Sequence, residues 1–594
     1  MKKILLSNLI AFSLLPSIIA APALESLFPA ETVLLAAFPD YAAAERNFDS
    51  GVMGRLWNSF EMKSFREKAE KGFQDNVTGS IKEKYGIDIE EFEEIASGPV
   101  AIAVIRGKNS EEQPGLLCLI DAGKKTFTLG RTISRLERDW KRKGRGVVRA
   151  TLGQDKFSSL IGTSGNEVMH LGREKGLFLA GTDKALLKDV LKRYRGKVEG
   201  LGTKSLASNP IFASDRVKVL ANADAYVWAD FSQLLPQLIN SAPDGADIGL
   251  NIQDILNSLG LDGFKSMAAV FQEKEEGTRF DFFVGLPEEK RTGFLGLFEM
   301  ESMNSDPPSF VPANVRLFQR SRINMATTWN NLEKLLNDTA PDIGNMVEFT
   351  VNLLGKDKDQ NFDFKKSFFN NIGDDLILYQ LESKIENKEA NGNSSLLGLV
   401  SSPNPDELIK AIGAIPGILP PPLNEATLLP RRLGDHSAYS FDLISDTGTG
   451  GELTTGIFFG AKDGYLVWST SSDLLRLHLD GNTTELLRNH NGLIESAERV
   501  GGIKSGFFGY LDGHYSMQHA ASWIKEAGLL EMVYGAIGMG DEGDISSDDW
   551  LDFSLIPSVE RIGKFFDFSV YGIVREPHGI TLKYFSPVPS SKKR

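Results

Sequence analysis

The sequence is similar to itself at a spacing of about 275–300 residues, and this repetition limits the possible folds more than any other feature. Matching windows occur in the same order along the two halves of the chain. In the first window, Pro29-Ala30 precedes a strand-like segment, and Pro312-Ala313 precedes the matching strand-like segment in the second half. Short apolar strands resemble one another, so each match alone is weak. Their shared order predicts a duplicated unit.

A second window contains an acid and a glycine that both halves share. Asp88 and Gly98 correspond without a gap to Asp363 and Gly373. We interpret the two aspartates as caps, because a carboxylate accepts hydrogen bonds from the free amides at a helix start. A catalytic role for the pair is the alternative. The remaining matched segments are 116–120 with 396–400, 176–180 with 464–468, 226–230 with 508–512, and 280–284 with 581–585.

The chain has 594 residues, which exceeds what one hydrophobic core organises. Clustered prolines near residue 306 exclude helix and mark a boundary between the copies. The predicted divisions are a signal peptide at 1–23, a first unit at 24–305, a proline-rich boundary at 306–312, a second unit at 313–588 with an insertion near 529–555, and a polar tail at 589–594.

Within each copy, strand-like runs alternate with amphipathic helices such as Tyr41–Phe48 and Met62–Phe73. Several strands follow one another as in hairpins, at 147–151, 167–171 and 176–180. This mixture favours an antiparallel sheet over a doubly wound parallel one. We predict an α+β fold: two tandem diverged copies of a mainly antiparallel sheet with helices packed on one face.

The first residues are typical of a secretory signal. Lys2 and Lys3 precede an apolar run from Ile4 to Leu15, and small residues follow at Ala20 and Ala23. An uncleaved anchor helix is the alternative, although the apolar run is short for a membrane span. We expect an exported, soluble protein in the periplasm or outside the cell, with no integral span after signal cleavage.

Cys118 is the only cysteine, so no intramolecular disulfide can form, and metal–thiolate or dithiol redox chemistry is excluded. The formal net charge is −14, and loss of Lys2 and Lys3 would make it −16. Such a chain repels nucleic acid and anionic membranes overall. We therefore predict no nucleic-acid partner, and nothing in the sequence indicates a cofactor.

One basic stretch runs against this acidic background, from Arg131 to Arg149. Ile133, Leu136 and Trp140 lie at helical spacing on the opposite side of the predicted helix. We interpret the basic residues as a solvated helix face that ends in a turn at Gly144.

The motifs that mark common catalytic and metal sites are missing. The sequence has no His-Glu-x-x-His, Gly-x-Ser-x-Gly or P-loop motif. An acidic segment could bind calcium through Asp541, Asp544 and Asp548, but it lacks the EF-hand spacing, so we favour a solvated loop. The sequence does not identify catalytic residues.

Three segments resemble a known family. They are Pro29-Ala-Glu-Thr-Val-Leu, Leu56-Trp-Asn-Ser-Phe and Phe65-Arg-Glu-Lys. Together with the duplicated architecture they resemble the exported bacterial proteins of domain-of-unknown-function family 3352. The resemblance covers most of the chain after the signal, implies a location in the bacterial envelope, and assigns no catalytic residue.

The sequence therefore favours a non-enzymatic envelope protein that binds or scaffolds through a cleft within or between its two units. Its partner would be another envelope protein, a polymer or an apolar ligand. The alternative is a hydrolase that uses carboxylates on envelope glycans or peptides. That hydrolase would need two acids in a cleft, one of them with a raised pKa.

Overall fold

In a computed structural model of the chain, the described residues are 23–79, 82, 89–107, 114–152, 154–162, 165–196, 204–234, 260, 263–291, 300, 302–357, 359–381, 396–420, 423–446, 452–481, 485–513, 515, 552–557 and 559–589. They fall into two compact units. Unit 1 is Met1–Ala42 with Val77–Ala221, and unit 2 is Ala43–Asn76 with Asn222–Arg594. Units defined by contacts need not coincide with sequence repeats, so the predicted repeat bounds remain a prediction.

The described residues form twenty strands and fourteen helices. The strands are β1 (Thr32–Phe38), β2 (Val100–Ile105), β3 (Gly115–Asp121), β4 (Val147–Leu152), β5 (Asp155–Ile161), β6 (Glu167–Glu174), β7 (Leu177–Gly181), β8 (Ala225–Ala229), β9 (Ser266–Lys274), β10 (Gly277–Gly285), β11 (Val315–Arg322), β12 (Asp375–Leu381), β13 (Leu396–Ser401), β14 (Leu429–Leu433), β15 (His436–Asp446), β16 (Glu452–Lys462), β17 (Tyr465–Ser469), β18 (Phe507–Asp512), β19 (Phe568–Glu576) and β20 (Gly579–Pro587). The helices are α1 (Tyr41–Ser50), α2 (Val52–Trp57), α3 (Lys63–Phe73), α4 (Ile89–Glu93), α5 (Thr126–Arg142), α6 (Lys184–Tyr194), α7 (Pro210–Lys218), α8 (Met325–Thr339), α9 (Pro341–Leu353), α10 (Phe364–Ser367), α11 (Pro405–Ile412), α12 (Ser472–Asp480), α13 (Leu493–Arg499) and α14 (Val559–Ile562).

The strands of unit 1 pair in the order β1-β2-β3-β7-β6-β5-β4, and every neighbouring pair is antiparallel. At the centre, the β3–β7 ladder pairs Leu117 with Gly181 and Leu119 with Leu179. All three leucines are fully buried. Burial of each such side chain contributes roughly 1.5–3 kcal/mol, so this ladder is the apolar centre of the unit.

Helix α5 covers part of this sheet with one apolar stripe. Leu129, Leu136 and Trp140 recur at helical spacing and lie in one buried cluster with Met169 of β6 and Phe178 of β7. The Trp140 indole donates a hydrogen bond to the Ile161 carbonyl at 3.0 Å. The helix ends before Gly144, whose φ of +76° suits glycine. The predicted stripe and the predicted end of this helix are both confirmed.

The strands of unit 2 pair in the order β8-β9-β10-β20-β19-β18-β11-β12-β13-β17-β16-β15-β14, again antiparallel throughout. The β10–β20 ladder joins two three-stranded meanders, from Gly277 opposite Pro587 to Val284 opposite Ile580. One buried cluster packs around Phe318, Leu397 and Phe508. The predicted mixed α+β architecture with an antiparallel sheet is confirmed.

The early helices α2 and α3 belong to unit 2 because one of its strands caps α2 and its apolar side chains pack against both helices. The Glu273 carboxylate on β9 accepts the Val52 amide at 2.7 Å and so caps α2. Gly51 leaves room for that carboxylate, because a β-carbon there would overlap it. Further along, the apolar side chains of Leu56 and Phe65 share a cluster with Phe565.

Several sequence predictions fall outside the described residues. They include the signal peptide except Ala23, Asp88, the acidic residues Asp541, Asp544 and Asp548, and all of the predicted insertion except residues 552–555. Among the helices that the structure describes, none combines the length and apolar character needed to cross a bilayer.

A buried ion-pair network ties β11, β12 and β17 together in unit 2. Both carboxylate oxygens of Asp375 accept from the Arg320 guanidinium, at 2.9 and 2.7 Å. The Arg322 guanidinium lies 3.0 Å from the same group, and the Tyr465 hydroxyl donates to it at 2.7 Å. Burial alone would raise the pKa of Asp375, but these donors and charges outweigh burial and lower it.

We predict that Asp375→Asn destabilises unit 2 by about 3 kcal/mol at neutral pH, because the buried guanidinium of Arg320 loses the nearer of its two carboxylate partners and keeps Asp306 at 3.4 Å. Since the pKa of Asp375 is lowered in the folded state, its stabilising effect is complete above the unfolded pKa of about 3.9 and is lost as the pH falls further. Urea unfolding between neutral and acid pH measures both effects.

The matched control is Glu67→Gln on α3, an exposed acid 3.7 Å from Lys63, which should change stability by less than about 0.5 kcal/mol. Equal stability losses in the two variants would show that the Asp375 network does not support the fold.

Candidate functional site

A groove of about 1150 Å³ lies in unit 1 between the first half of α5 and the turn from β6 to β7. Five cationic side chains line it: Arg131, Arg135 and Arg138 from α5, and Arg173 and Lys175 from the opposite wall. Two acids, Glu94 and Glu174, also line it. The groove is therefore strongly cationic within an acidic protein.

The helical cations share one face because α5 repeats every 3.6 residues. Arg131, Arg135 and Arg138 are separated by four and three positions, so they project from the side away from buried Leu136. The buried stripe fixes the rotation of the helix on the sheet. The sequence predicted this solvated face, but it did not predict that the face forms one wall of a groove.

Some of the charges in the groove are already neutralised by the fold. The Arg135 guanidinium lies 3.0 Å from the Glu91 carboxylate. On the other wall, Glu174 pairs with Arg195 at 2.5 Å. Among the described residues, Arg131, Arg138, Arg173 and Lys175 have no carboxylate partner, so the groove holds cationic charge that the protein itself does not balance.

Three other arginines of the basic stretch have structural contacts instead. Arg149 makes a two-pronged ion pair with Glu137, at 3.0 and 2.8 Å. The Arg145 guanidinium lies over the Trp140 ring, 4.5 Å from its centroid, which is a cation–π contact. Arg142 pairs with Asp139 at 3.2 Å. The structure thus separates one predicted basic face into a groove and a set of paired cations.

Gly130 allows Arg173 to approach α5 closely. A β-carbon at this position would overlap the Arg173 guanidinium. The absence of a side chain on the helix therefore makes space for a cation from the opposite wall. Arg173, Lys175 and Gly130 were missed from the sequence. The cluster of charges in Arg173-Glu-Lys was visible there, but its position beside Arg131 depends on tertiary structure.

Lys175 occupies a strained position in the two-residue turn between β6 and β7. Its φ is +52°, in the left-handed region where an ordinary L side chain costs roughly 1 kcal/mol or more. The turn between β16 and β17 uses Asp463 at the corresponding place, with a φ of +50°. Aspartate and asparagine tolerate this conformation better than lysine does.

The sequence-derived positions that the structure describes have structural roles. Asp363 caps α10, because its carboxylate accepts the Lys366 amide at 3.0 Å, as predicted for a cap. The Gly98 amide donates to the Asp121 carbonyl at 3.0 Å, and the Gly373 amide donates to the Ser401 carbonyl at 2.7 Å. None of the three lies in the groove. No cluster of three potential metal ligands occurs within the described part of the chain.

A serine–histidine pair in unit 1 is the closest approach to a catalytic arrangement in this sheet. The Ser159 hydroxyl lies 2.9 Å from Nδ1 of His170, and the Glu167 carboxylate lies 4.0 Å from Nε2. Ser159 is fully buried and His170 nearly so. Burial lowers the pKa of His170. A substrate has no access to this pair, so we interpret it as a satisfied polar contact between β5 and β6.

Comparisons with known proteins give little further information. No family model matches the chain, and no curated protein matches it. Solved structures that align with it include crystal forms I, III and IV of TP0453, at 7%, 8% and 9% sequence identity and TM-scores of 0.23, 0.23 and 0.24. These alignments cover 45%, 44% and 45% of this chain, and 81%, 79% and 81% of the other. Similarity at this level does not define a shared fold.

We predict that Lys175→Asn stabilises the β6–β7 hairpin by about 0.5–1 kcal/mol, because asparagine adopts the left-handed conformation at lower cost. Amide hydrogen exchange of β6 and β7 peptides under increasing urea measures the change. Asp463→Asn is the control, since that residue already tolerates its conformation and little change is expected. Faster exchange in Lys175→Asn would contradict the role assigned to the backbone strain.

Proposed function

We propose that this protein is a non-enzymatic binding protein and that unit 1 binds an anionic ligand in the groove beside α5. One observation carries the proposal: four cationic side chains without carboxylate partners among the described residues meet at one groove, although the chain has a formal net charge of −14. Unbalanced cations in a concave site raise the local concentration of anions. Arginine in particular forms paired hydrogen bonds with carboxylate and phosphate groups.

The corresponding surface in unit 2 supports a functional origin for these charges. Helix α11 follows β13 as α5 follows β3, and the β16–β17 turn corresponds to the β6–β7 turn in strand order. At that surface unit 2 carries exposed Asp406 and Asp463. Helix α11 also carries exposed Lys410, which lies 3.9 Å from Glu407. A similar arrangement of strands therefore folds with a mixed, mainly acidic surface, so the row of cations in unit 1 is not needed to form the scaffold.

We further propose that the chain arose by tandem duplication. The order β1-β2-β3-β7-β6-β5-β4 corresponds strand for strand to β11-β12-β13-β17-β16-β15-β14. β1 and β11 each carry one register irregularity at the same place, after Thr32 and after Val315. Isolated bridges pair Pro29 with Ser205 and Pro312 with Leu486.

The glycines that the sequence pairs support the same proposal. Each precedes a strand and donates to the last residue of the next one, Gly98 to Asp121 and Gly373 to Ser401. A β-carbon at either position would collide with the side chain of that partner. In each proposed copy the closing hairpin has a glycine directly after its turn, Gly277 in one and Gly579 in the other. Aligning these glycines differs by one residue from the sequence alignment of 280–284 with 581–585.

The competing hydrolase hypothesis has less support. It requires an acid with a raised pKa in a cleft, and burial does raise the pKa of Glu273. However, Glu273 is fully enclosed and accepts the Val52 amide at 2.7 Å and the Thr278 hydroxyl at 2.8 Å. This carboxylate holds α2 in place, and a substrate cannot reach it.

We place the binding activity in the bacterial cell envelope, as the basic start and apolar run of the first segment favour. The family resemblance of the sequence favours the same location. Export also gives the groove access to the anionic polymers and ligands of that compartment. Both the export and the family membership are part of this proposal.

We predict that the full chain binds inorganic tripolyphosphate and that the double variant Arg131→Gln/Arg138→Gln weakens binding about tenfold, because two cationic contacts of roughly 0.7 kcal/mol each are lost. Isothermal titration calorimetry at low and moderate salt measures the affinity, which should fall as salt rises.

Arg142→Gln is the matched control. This cation lies on the same helix but pairs with Asp139 outside the groove, so binding should be unchanged. Failure of the parent protein to bind, or an equal loss in the control and the double variant, would contradict the proposed function.

A further inference from the structure

The cations of the groove are distributed along it and do not converge on one point. Arg131 and Arg138 are seven residues apart on α5, which places their α-carbons about 10 Å apart along the helix axis. Arg173 and Lys175 stand on the facing wall. One phosphate or carboxylate group spans roughly a quarter of that distance, so a ligand that satisfies these cations carries several anionic groups in a row.

The size and openness of the groove lead to the same conclusion. Its volume of about 1150 Å³ exceeds the range of roughly 300–1000 Å³ that accommodates most small ligands. Arg131, Arg138, Arg173 and Lys175 are all exposed. A site for a single small anion encloses it with buried, converging donors. Exposed cations along an open groove suit a chain that lies lengthwise.

The uncharged lining indicates what connects the anionic groups. Phe127 lies at the N-terminal end of the groove with its side chain 77% exposed, so one aromatic ring is open to a ligand. Thr126 and Thr128 add exposed hydroxyl groups next to it, and the exposed Ser134 hydroxyl lies two helical turns further along, where it donates to the Gly130 carbonyl at 2.9 Å. Sugar rings match this lining, because their C–H faces pack on aromatic rings and their hydroxyls exchange hydrogen bonds with threonine and serine.

A single-stranded nucleic acid fits the lining less well. Proteins that bind such strands place successive bases on several aromatic side chains. Phe127 is the one aromatic residue that lines this groove within the described part of the chain.

From these observations we infer that the ligand of the groove is a linear acidic glycan, whose anionic groups contact the cations of both walls while one sugar ring packs on Phe127. This inference rests on the proposed function and specifies its ligand class. Because several weak contacts act together along one chain, affinity depends on the length of the glycan.

The test compares α-1,4-linked galacturonate oligomers of one, three and eight residues by isothermal titration calorimetry on the full chain. We expect the octamer to bind at least 30-fold more tightly than the monomer, with the trimer between them. A neutral galactose octamer should not bind measurably. Equal affinities for monomer and octamer would overturn the polymer inference and leave anion binding intact.

Variants then test the aromatic contact. Phe127→Ala should weaken binding of the octamer about tenfold more than it weakens binding of tripolyphosphate. The control is Phe60→Ala, an 86% exposed ring outside the groove, which should alter neither. Tighter binding of an oligothymidylate octamer, with the same dependence on Phe127, would replace the glycan by a nucleic-acid strand. If neither tripolyphosphate nor any galacturonate binds, the proposed function itself fails.

Discussion

The pairing of β3 with β7 is the interaction on which the rest of unit 1 depends. This ladder joins the meander β1-β2-β3 to the hairpins β4 to β7, and its leucines form the buried centre. It also brings the start of α5 beside the β6–β7 turn, because the Ala122 amide after β3 donates to the Gly176 carbonyl before β7 at 2.9 Å. The groove is therefore a direct result of the position of two adjacent strands.

The arginines of this region fall into two groups, those that form ion pairs with carboxylates of the protein and those that do not. Where a carboxylate is within reach, as Glu137 is for Arg149, an ion pair stabilises the fold and the charge is no longer available to a ligand. Arg131 and Arg173 have no such partner among the described residues. Their charges stay at the surface because apolar packing fixes the helix and the strand that carry them. Helix α5 carries both kinds, because Arg142 pairs with Asp139 whereas Arg131 has no carboxylate partner among the described residues.

The sequence predicted what depends on local pattern. Strand alternation, the helix predicted at Tyr41–Phe48 and the cap at Asp363 follow from periodicity and from side-chain chemistry near the backbone, and the structure contains all three. The groove could not be predicted from such local patterns. The ion pair between Arg135 and Glu91 and the close approach of Arg173 to Gly130 form only after strands that are distant in the sequence have paired. A local sequence pattern therefore does not predict these contacts.

The long connection between β10 and β20 has a consequence for the order of folding. Nearly three hundred residues separate these paired strands, and closing a loop of that length is slow. The apolar faces of α2 and α3 also remain uncovered for a long time, since Phe565 and its neighbours come much later in the sequence. Unit 2 therefore stays open while most of the chain emerges. Until β20 is available, the exposed apolar surface of these early helices makes the partly folded chain prone to aggregate.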